Sequence, residues 1–186
     1  VQRPTREQTR AEFVSVAARR FAEQGFQATS LEEIAADAGY SKAALLYHFG
    51  SKDDLLGAVM DHHLDQTEEL VASLEQQIPG RQRTEHAIAT LIAFAVARRP
   101  TSPLTMRPVH DIATALGRNP DLLARVEQVQ ARMVALLAGP GASLRQQIAL
   151  GVVFSGIPAV VTEFRAVPAE DLTAILSDVL RTALTM

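Results

Sequence analysis

The chain has 186 residues, 47% of them hydrophobic, so it can pack a core and does not carry the composition of a disordered segment. It contains no cysteine, which excludes a disulfide scaffold, a thiolate metal site and a cysteine nucleophile. The formal net charge is −3, and residues 1–53 hold seven Lys or Arg against seven acids, so charge alone does not point to nucleic acid.

Helical spacing dominates, and no run has the alternation of a strand. Thr5 to Gln24 places Phe13, Val14, Ala17, Ala18, Phe21 and Ala22 on one side of a first helix. Gly25 then suits the left-handed position past a helix end, with Phe26 folding back. Ser30-Leu31-Glu32-Glu33 reads as a capping box that opens a short second helix with Leu31, Ile34, Ala35 and Ala38 on its apolar face. Gly39 interrupts it, and Ser41 is placed to cap a third helix from Lys42 to Phe49. Ser51 caps a fourth that runs to about Gln77, where Pro79-Gly80 ends it.

The remainder reads as a second helical block, with helices at Thr84–Arg98, Leu104–Gly117, Asp121–Leu137, Ser143–Arg165 and Ala169–Leu184. Arg99 to Pro108 is a proline-rich loop, and Pro158 lies inside the eighth helix, which it should bend. The expected fold is therefore all-α, with nine helices in two domains: residues 1–50, a helix-turn-helix, and residues 51–186, a helical bundle for ligand and dimer contacts. The polar start of the chain lacks the apolar core of a signal peptide, and no run of 18 apolar residues occurs, which agrees with a cytoplasmic protein.

Three short helices with a glycine turn between the second and third form a helix-turn-helix pattern. The third helix needs one side for its own domain and one for the major groove. Leu45 and Phe49, four apart, can face inward, while Ser41, Lys42, Tyr47 and His48 can face out. Ala43 and Ala44 are small enough to let the helix sit deep in the groove. Tyr47 and His48 have an alternative reading as packed aromatics. Arg3, Arg6 and Arg10 read either as an arm that reaches the minor groove or as a solvated tail.

The run Thr29-Ser30-Leu31-Glu32-Glu33-Ile34-Ala35, then Ala38-Gly39-Tyr40-Ser41-Lys42, then Leu45 to Leu56, resembles the tetracycline-repressor (TetR) family over roughly residues 9–57. Arg20 to Phe26 fits that family's first helix as well. The resemblance implies that Ser41, Lys42 and Ala43 open the recognition helix against DNA, that Tyr47 and His48 contact its backbone, and that Lys52 binds a phosphate. It also implies that Ser30 caps the second helix beside the phosphate chain and that Tyr40 reaches backbone or base. Two positions depart from the family pattern. Leu46 stands where a Tyr is usual, and Ala43 where glycine is frequent, so the base preference is this chain's own.

Helix-turn-helix proteins reading two half-sites bind as dimers, with recognition helices about one DNA turn, ~34–36 Å, apart. The final helix carries Leu172, Ile175, Leu176, Val179, Leu180, Ala183 and Leu184 at three- and four-residue spacing. The eighth offers Val152, Ser155, Gly156 and Ala159 for close approach. Both helices are expected to pair with their copies in a four-helix bundle; the alternative is that they close the monomer core. The resemblance further implies an effector pocket in the second block. Candidate lining residues are Phe94, Met106, Met133, Phe154 and Phe164, with His63, His110, Asp111 and Glu163 as polar groups, although Met and Phe at helical spacing are more often core.

The function expected is a dimeric, ligand-responsive repressor that releases a palindromic operator when an effector displaces the fourth helix. The alternative is a DNA-binding adaptor or activator that responds to a protein or to no ligand. No cofactor is expected. An enzyme lacks support, since no nucleophile elbow, glycine phosphate loop or carboxylate pair is present. A metal site lacks it too, because His62 and His63 of Asp61-His62-His63 point to different faces of a helix.

Overall fold

The computed structural model describes residues 4–98 and 119–185. Among them are eight helices and no strand: α1 (Arg6–Gln24), α2 (Leu31–Asp37), α3 (Lys42–Phe49), α4 (Lys52–Glu75), α5 (Arg81–Ala97), α6 (Pro120–Ala138), α7 (Leu144–Glu163) and α8 (Ala169–Leu184). The all-α class is as expected. The ninth helix expected at Leu104–Gly117, the loop before it, and the candidates Met106, His110 and Asp111 lie outside the described residues, as does Arg3.

Caps set most of the boundaries. α1 opens with a capping box: the Thr5 hydroxyl accepts the Gln8 backbone N–H at 3.2 Å, and the Thr5 N–H donates to Gln8 Oε1 at 2.8 Å. Ser30 with Glu33 does the same for α2, and Ser143 with Gln146 for α7. Each box satisfies two of the four amides that a helix start leaves unpaired. Pro120 occupies the first position of α6, where a missing N–H costs nothing.

The chain divides into two compact units, and the division falls inside α4, between His63 and Leu64. This is thirteen residues past the boundary expected from the sequence at residue 50. The reason is visible in burial. Leu55, Leu56, Ala58, Val59 and Met60 are all buried, so the first three turns of α4 belong to the core of the first unit. That core is completed by Phe13, Val14, Ala17 and Phe21 from α1, Ile34 and Ala35 from α2, and Leu45 and Phe49 from α3.

In the second unit α8 packs on α5 and α7, and α6 packs on α5 and α7. Its core draws on Ile88, Leu91 and Ile92 of α5, Leu136 and Leu137 of α6, Leu150 and Val161 of α7, and Leu172, Leu176 and Leu180 of α8. Ion pairs stitch α6 to the last turns of α4. Arg125 reaches Glu68 and Asp65, and Arg132 reaches Glu75 through two bonds at 3.1 and 2.7 Å.

α7 continues as one helix across Pro158. It has a mean hydropathy of 1.4 over 18 residues, with only 17% of that window buried. By length and composition alone it is the one helix among the described residues apolar enough to cross a membrane.

The stripe expected to form a dimer contact splits in two. Leu172, Leu176, Leu180 and Ala183 are buried within their own chain, although Ala183 also edges the open groove along α7 and α8. Ile175 and Val179 are exposed, as are Val152 and Ala159 of α7, while Gly156 is half-buried. Seven apolar residues on four turns span too wide an arc for one contact. The helix has a core side and an outer side, both apolar.

Candidate nucleic-acid interface

The turn between α2 and α3 aims the third helix. Gly39 lies at φ 78°, a conformation that costs any residue with a Cβ. Its N–H donates to Ala36 O at 3.0 Å, and the Tyr40 N–H donates to Ala35 O at 2.9 Å. This pair of bonds is the Schellman closure of a helix end. The chain then reverses into Ser41, whose hydroxyl accepts the Ala44 N–H at 3.2 Å and caps α3.

α3 buries Leu45 and Phe49 and exposes Ser41, Lys42, Ala43 and Tyr47, the last at 72%. Those four residues are solvent-exposed, as a reading surface requires. Its cation is not free. Lys42 Nζ lies 2.5 Å from Glu32 Oε1, on the helix before it. That bond also holds the Glu32 carboxyl below its ordinary range.

His48 sits differently from Tyr47. Its ring is half-buried against Phe13 at 5.7 Å between centroids, and Nδ1 is buried with no hydrogen-bond partner. Burial, then the charges of Arg6 and Arg10, lower its pKa and favour the neutral ring. Tyr40 also turns toward the domain. Its ring lies 5.1 Å from that of Phe13, and its hydroxyl donates to Glu12 at 2.6 Å.

Lys52, in the first turn of α4, is half-buried. Its Nζ lies 4.5 Å from the centre of the Phe26 ring and donates to Gln27 O at 3.4 Å. Burial lowers its pKa. The side chain therefore braces the turn after α1 as well as standing near the start of α4. Ser30 is half-buried and committed to its cap.

Two residues read from the sequence as an arm belong to α1 instead. Arg6 opens the helix and Arg10 follows one turn later. The Arg6 guanidinium lies 5.4 Å from the centre of the Tyr47 ring and that of Arg10 lies 5.0 Å from the centre of Phe49. Arg20 is pinned by two short bonds to Asp37, at 2.6 and 2.7 Å, which fastens α1 to the end of α2. The four-residue spacing of Arg6 and Arg10 was the available signal for the first relationship. The second, across 17 residues, had none.

The effector candidates among the described residues fall in two units. His63 is half-buried and falls in the first unit; Phe94, Met133 and Phe154 are half-buried in the second. Phe164 and Glu163, at the end of α7, are exposed. The Arg98 guanidinium covers the Phe94 ring at 4.5 Å. The second unit has an open apolar groove of about 960 Å³ along α7 and α8, walled by Leu144, Ile148, Val152, Ile175 and Val179. It contains none of the effector candidates and several of the residues expected at the dimer contact.

Residues 13–59 match the family described as bacterial regulatory proteins, tetR family. A transcriptional repressor of Mycobacterium tuberculosis with a helix-turn-helix is 44% identical over 57 residues, 31% of this chain and 30% of that protein. The transcriptional activator FasR of Mycolicibacterium smegmatis is 33% identical over 93 residues, 48% of this chain and 41% of its own. The chain thus spans less than half the length of these curated relatives. Among solved structures, the fatty acid degradation regulator FadR from Bacillus halodurans superposes with a TM-score of 0.72 over 98% of this chain and 97% of its own, at 15% identity. That last likeness concerns the fold.

Proposed function

We propose that this chain, which belongs to the TetR family of bacterial regulatory proteins, is a dimeric repressor that binds a palindromic operator through α3 and leaves it when an effector occupies the second unit. The observation that carries the reading is the braced α3. It is a capped helix after a Schellman turn, with Leu45 and Phe49 in the core and Ser41, Lys42, Ala43 and Tyr47 presented outward. A surface of this kind can enter a major groove without unfolding anything.

Dimerisation is supported by the exposed apolar side of α7 and α8. Contiguous apolar surface on that scale marks an association site, and a second copy supplies the same surface in return. The effector response rests on Phe94, Met133 and Phe154, three half-buried apolar side chains on three helices of one unit. In this reading the protein is not an enzyme and works in the cytoplasm, where its operator lies. The matched relatives include both a repressor and an activator.

The test is selection of bound duplexes from a random pool with the full chain, followed by footprinting. A two-fold sequence with half-sites about 10 base pairs apart between centres is expected. Recovery of no enriched sequence would refute operator binding, and an asymmetric single site would refute the dimer. A reporter carrying the recovered site between promoter and gene then gives the sign.

A further inference from the structure

The first unit holds as many acids as bases up to residue 53, yet its charges are not evenly matched in space. Arg19 and Arg20 are both spent on Asp37. Lys42 is paired with Glu32. Lys52 is half-buried over Phe26. Among the described residues Arg6 and Arg10 are exposed and form no ion pair; each lies over an aromatic ring of α3. Glu12, two residues past Arg10, accepts the Tyr40 hydroxyl, while Glu7, between the two arginines, is exposed in the first turn of α1. The neutral total therefore conceals two uncompensated guanidinium groups, one turn apart on α1, beside the exposed Tyr47.

A guanidinium over a ring keeps its in-plane N–H donors at the edge, because stacking uses its face. The ring also restricts the side chain, so less rotamer freedom remains to be lost on binding. Both arginines act electrostatically on His48, which lies against Tyr47 with ring centroids 5.6 Å apart. The rings they lie over, Tyr47 and Phe49, belong to the C-terminal half of the reading helix, not to its first turn where Lys42 stands.

We infer that Arg6 and Arg10 of α1, shelved on Tyr47 and Phe49, form the principal phosphate-binding site of this chain, ahead of Lys42 and Lys52. The inference rests on the DNA-binding reading above and assigns its backbone contacts. The ligand is the phosphodiester chain flanking the groove that α3 enters. Tyr47 then serves twice: its hydroxyl is free to reach the same backbone, and its ring orients Arg6.

Phosphate contacts are counted by salt. The logarithm of the binding constant falls with the logarithm of salt concentration by about 0.9 for every phosphate neutralised on duplex DNA. The probe is a labelled mixed-sequence duplex of about 30 base pairs, because backbone binding needs no operator. Arg6→Gln and Arg10→Gln are each expected to flatten the slope by about 0.9 per bound protomer, and the double variant by about twice that. Replacing both by Lys, which keeps the charge and changes the stacking, is expected to restore the slope. Helix content by circular dichroism, unchanged in each variant, keeps the comparison on folded protein.

An unaltered slope in the folded double variant, or a larger flattening by Lys42→Ala or Lys52→Ala, overturns the assignment. So does a failure of the lysine pair to restore the slope, which would make the arginines structural. A wild-type chain that does not bind the duplex at low salt overturns DNA binding itself, a different result from wild-type binding with indifferent arginine variants.

Discussion

Lys42 Nζ and Glu32 Oε1 lie 2.5 Å apart, so the cation at the start of α3 is held by an acid of the preceding helix. Both side chains are well exposed, and an exposed pair of this kind exchanges partners at little cost. For Lys42 to reach a phosphate the bond to Glu32 must open, and the Glu32 carboxylate is then left near a negatively charged backbone. Glu32→Gln removes the competitor and the repulsion together. The expected result is tighter duplex binding by up to about fivefold at low salt, with the gain shrinking as salt rises. Fluorescence anisotropy at two salt concentrations measures it. Equal or weaker binding by the variant would show that Glu32 does not restrain Lys42.

The turn before α3 can be tested without touching any DNA contact. Gly39 has φ 78°, and a Cβ placed there meets nothing within 4 Å. Space is therefore not the obstacle; the backbone conformation is. Gly39→Ala is expected to destabilise the protein by about 1–2 kcal/mol, and Gly39→Asn by less, because Asn visits the left-handed region more readily. Urea unfolding followed by circular dichroism gives both values. A neutral alanine variant would mean that the turn relaxes and that α3 is not fixed by Gly39.

His48 gives the fold a pH dependence of defined sign. Burial first, then Arg6 and Arg10, hold its pKa below the ordinary 6.5 in the folded chain. The unfolded chain therefore takes up the proton first as pH falls. Stability is fully present above 6.5 and declines as pH drops toward the lowered folded value. Asp37 and Glu33 also have lowered values, but their contributions fade only in the carboxylate range, further down. Denaturation midpoints measured from about pH 7.5 to pH 5.5 are expected to fall in the wild type and to fall less in His48→Gln. Parallel pH profiles in the two proteins would remove His48 as the source.

These residues mark how far the sequence could be read. The caps were legible because each is a local bargain between neighbours three apart, as in Ser30 with Glu33 or Ser51 with Asp54. Gly39 and the inward pair Leu45 and Phe49 were legible for the same reason. What could not be read were pairings across helices. Lys42 with Glu32, Arg6 with Tyr47 and Lys52 with Phe26 depend on how α1, α2, α3 and α4 are placed, and each changes what a cation is free to do. His48, readable from the sequence as outward or packed, is half-buried because one residue's step along α3 from Tyr47 turns a side chain through about 100°, toward Phe13. The apolar stripe of α8 announced burial but not against what.

That ambiguity in α8 yields the sharpest test of assembly, because neighbouring residues answer different questions. Leu180 is 0% exposed and Val179 is 46% exposed in the single chain. Leu180→Ala opens a hole in the core and is expected to cost about 2–5 kcal/mol, with the oligomeric state retained at concentrations where the fold persists. Val179→Glu leaves the core intact and puts a charge into the groove that Val152, 68% exposed, also lines. If two copies meet there, the two-fold axis brings the same face of each together, so each copy contributes its own new carboxylate and neither finds a partner. Sedimentation velocity is then expected to show half the wild-type mass with helix content preserved. A Val179→Glu protein sedimenting as the wild type, or a wild type already monomeric, would remove α7 and α8 as the dimer contact and leave their apolar side without an occupant.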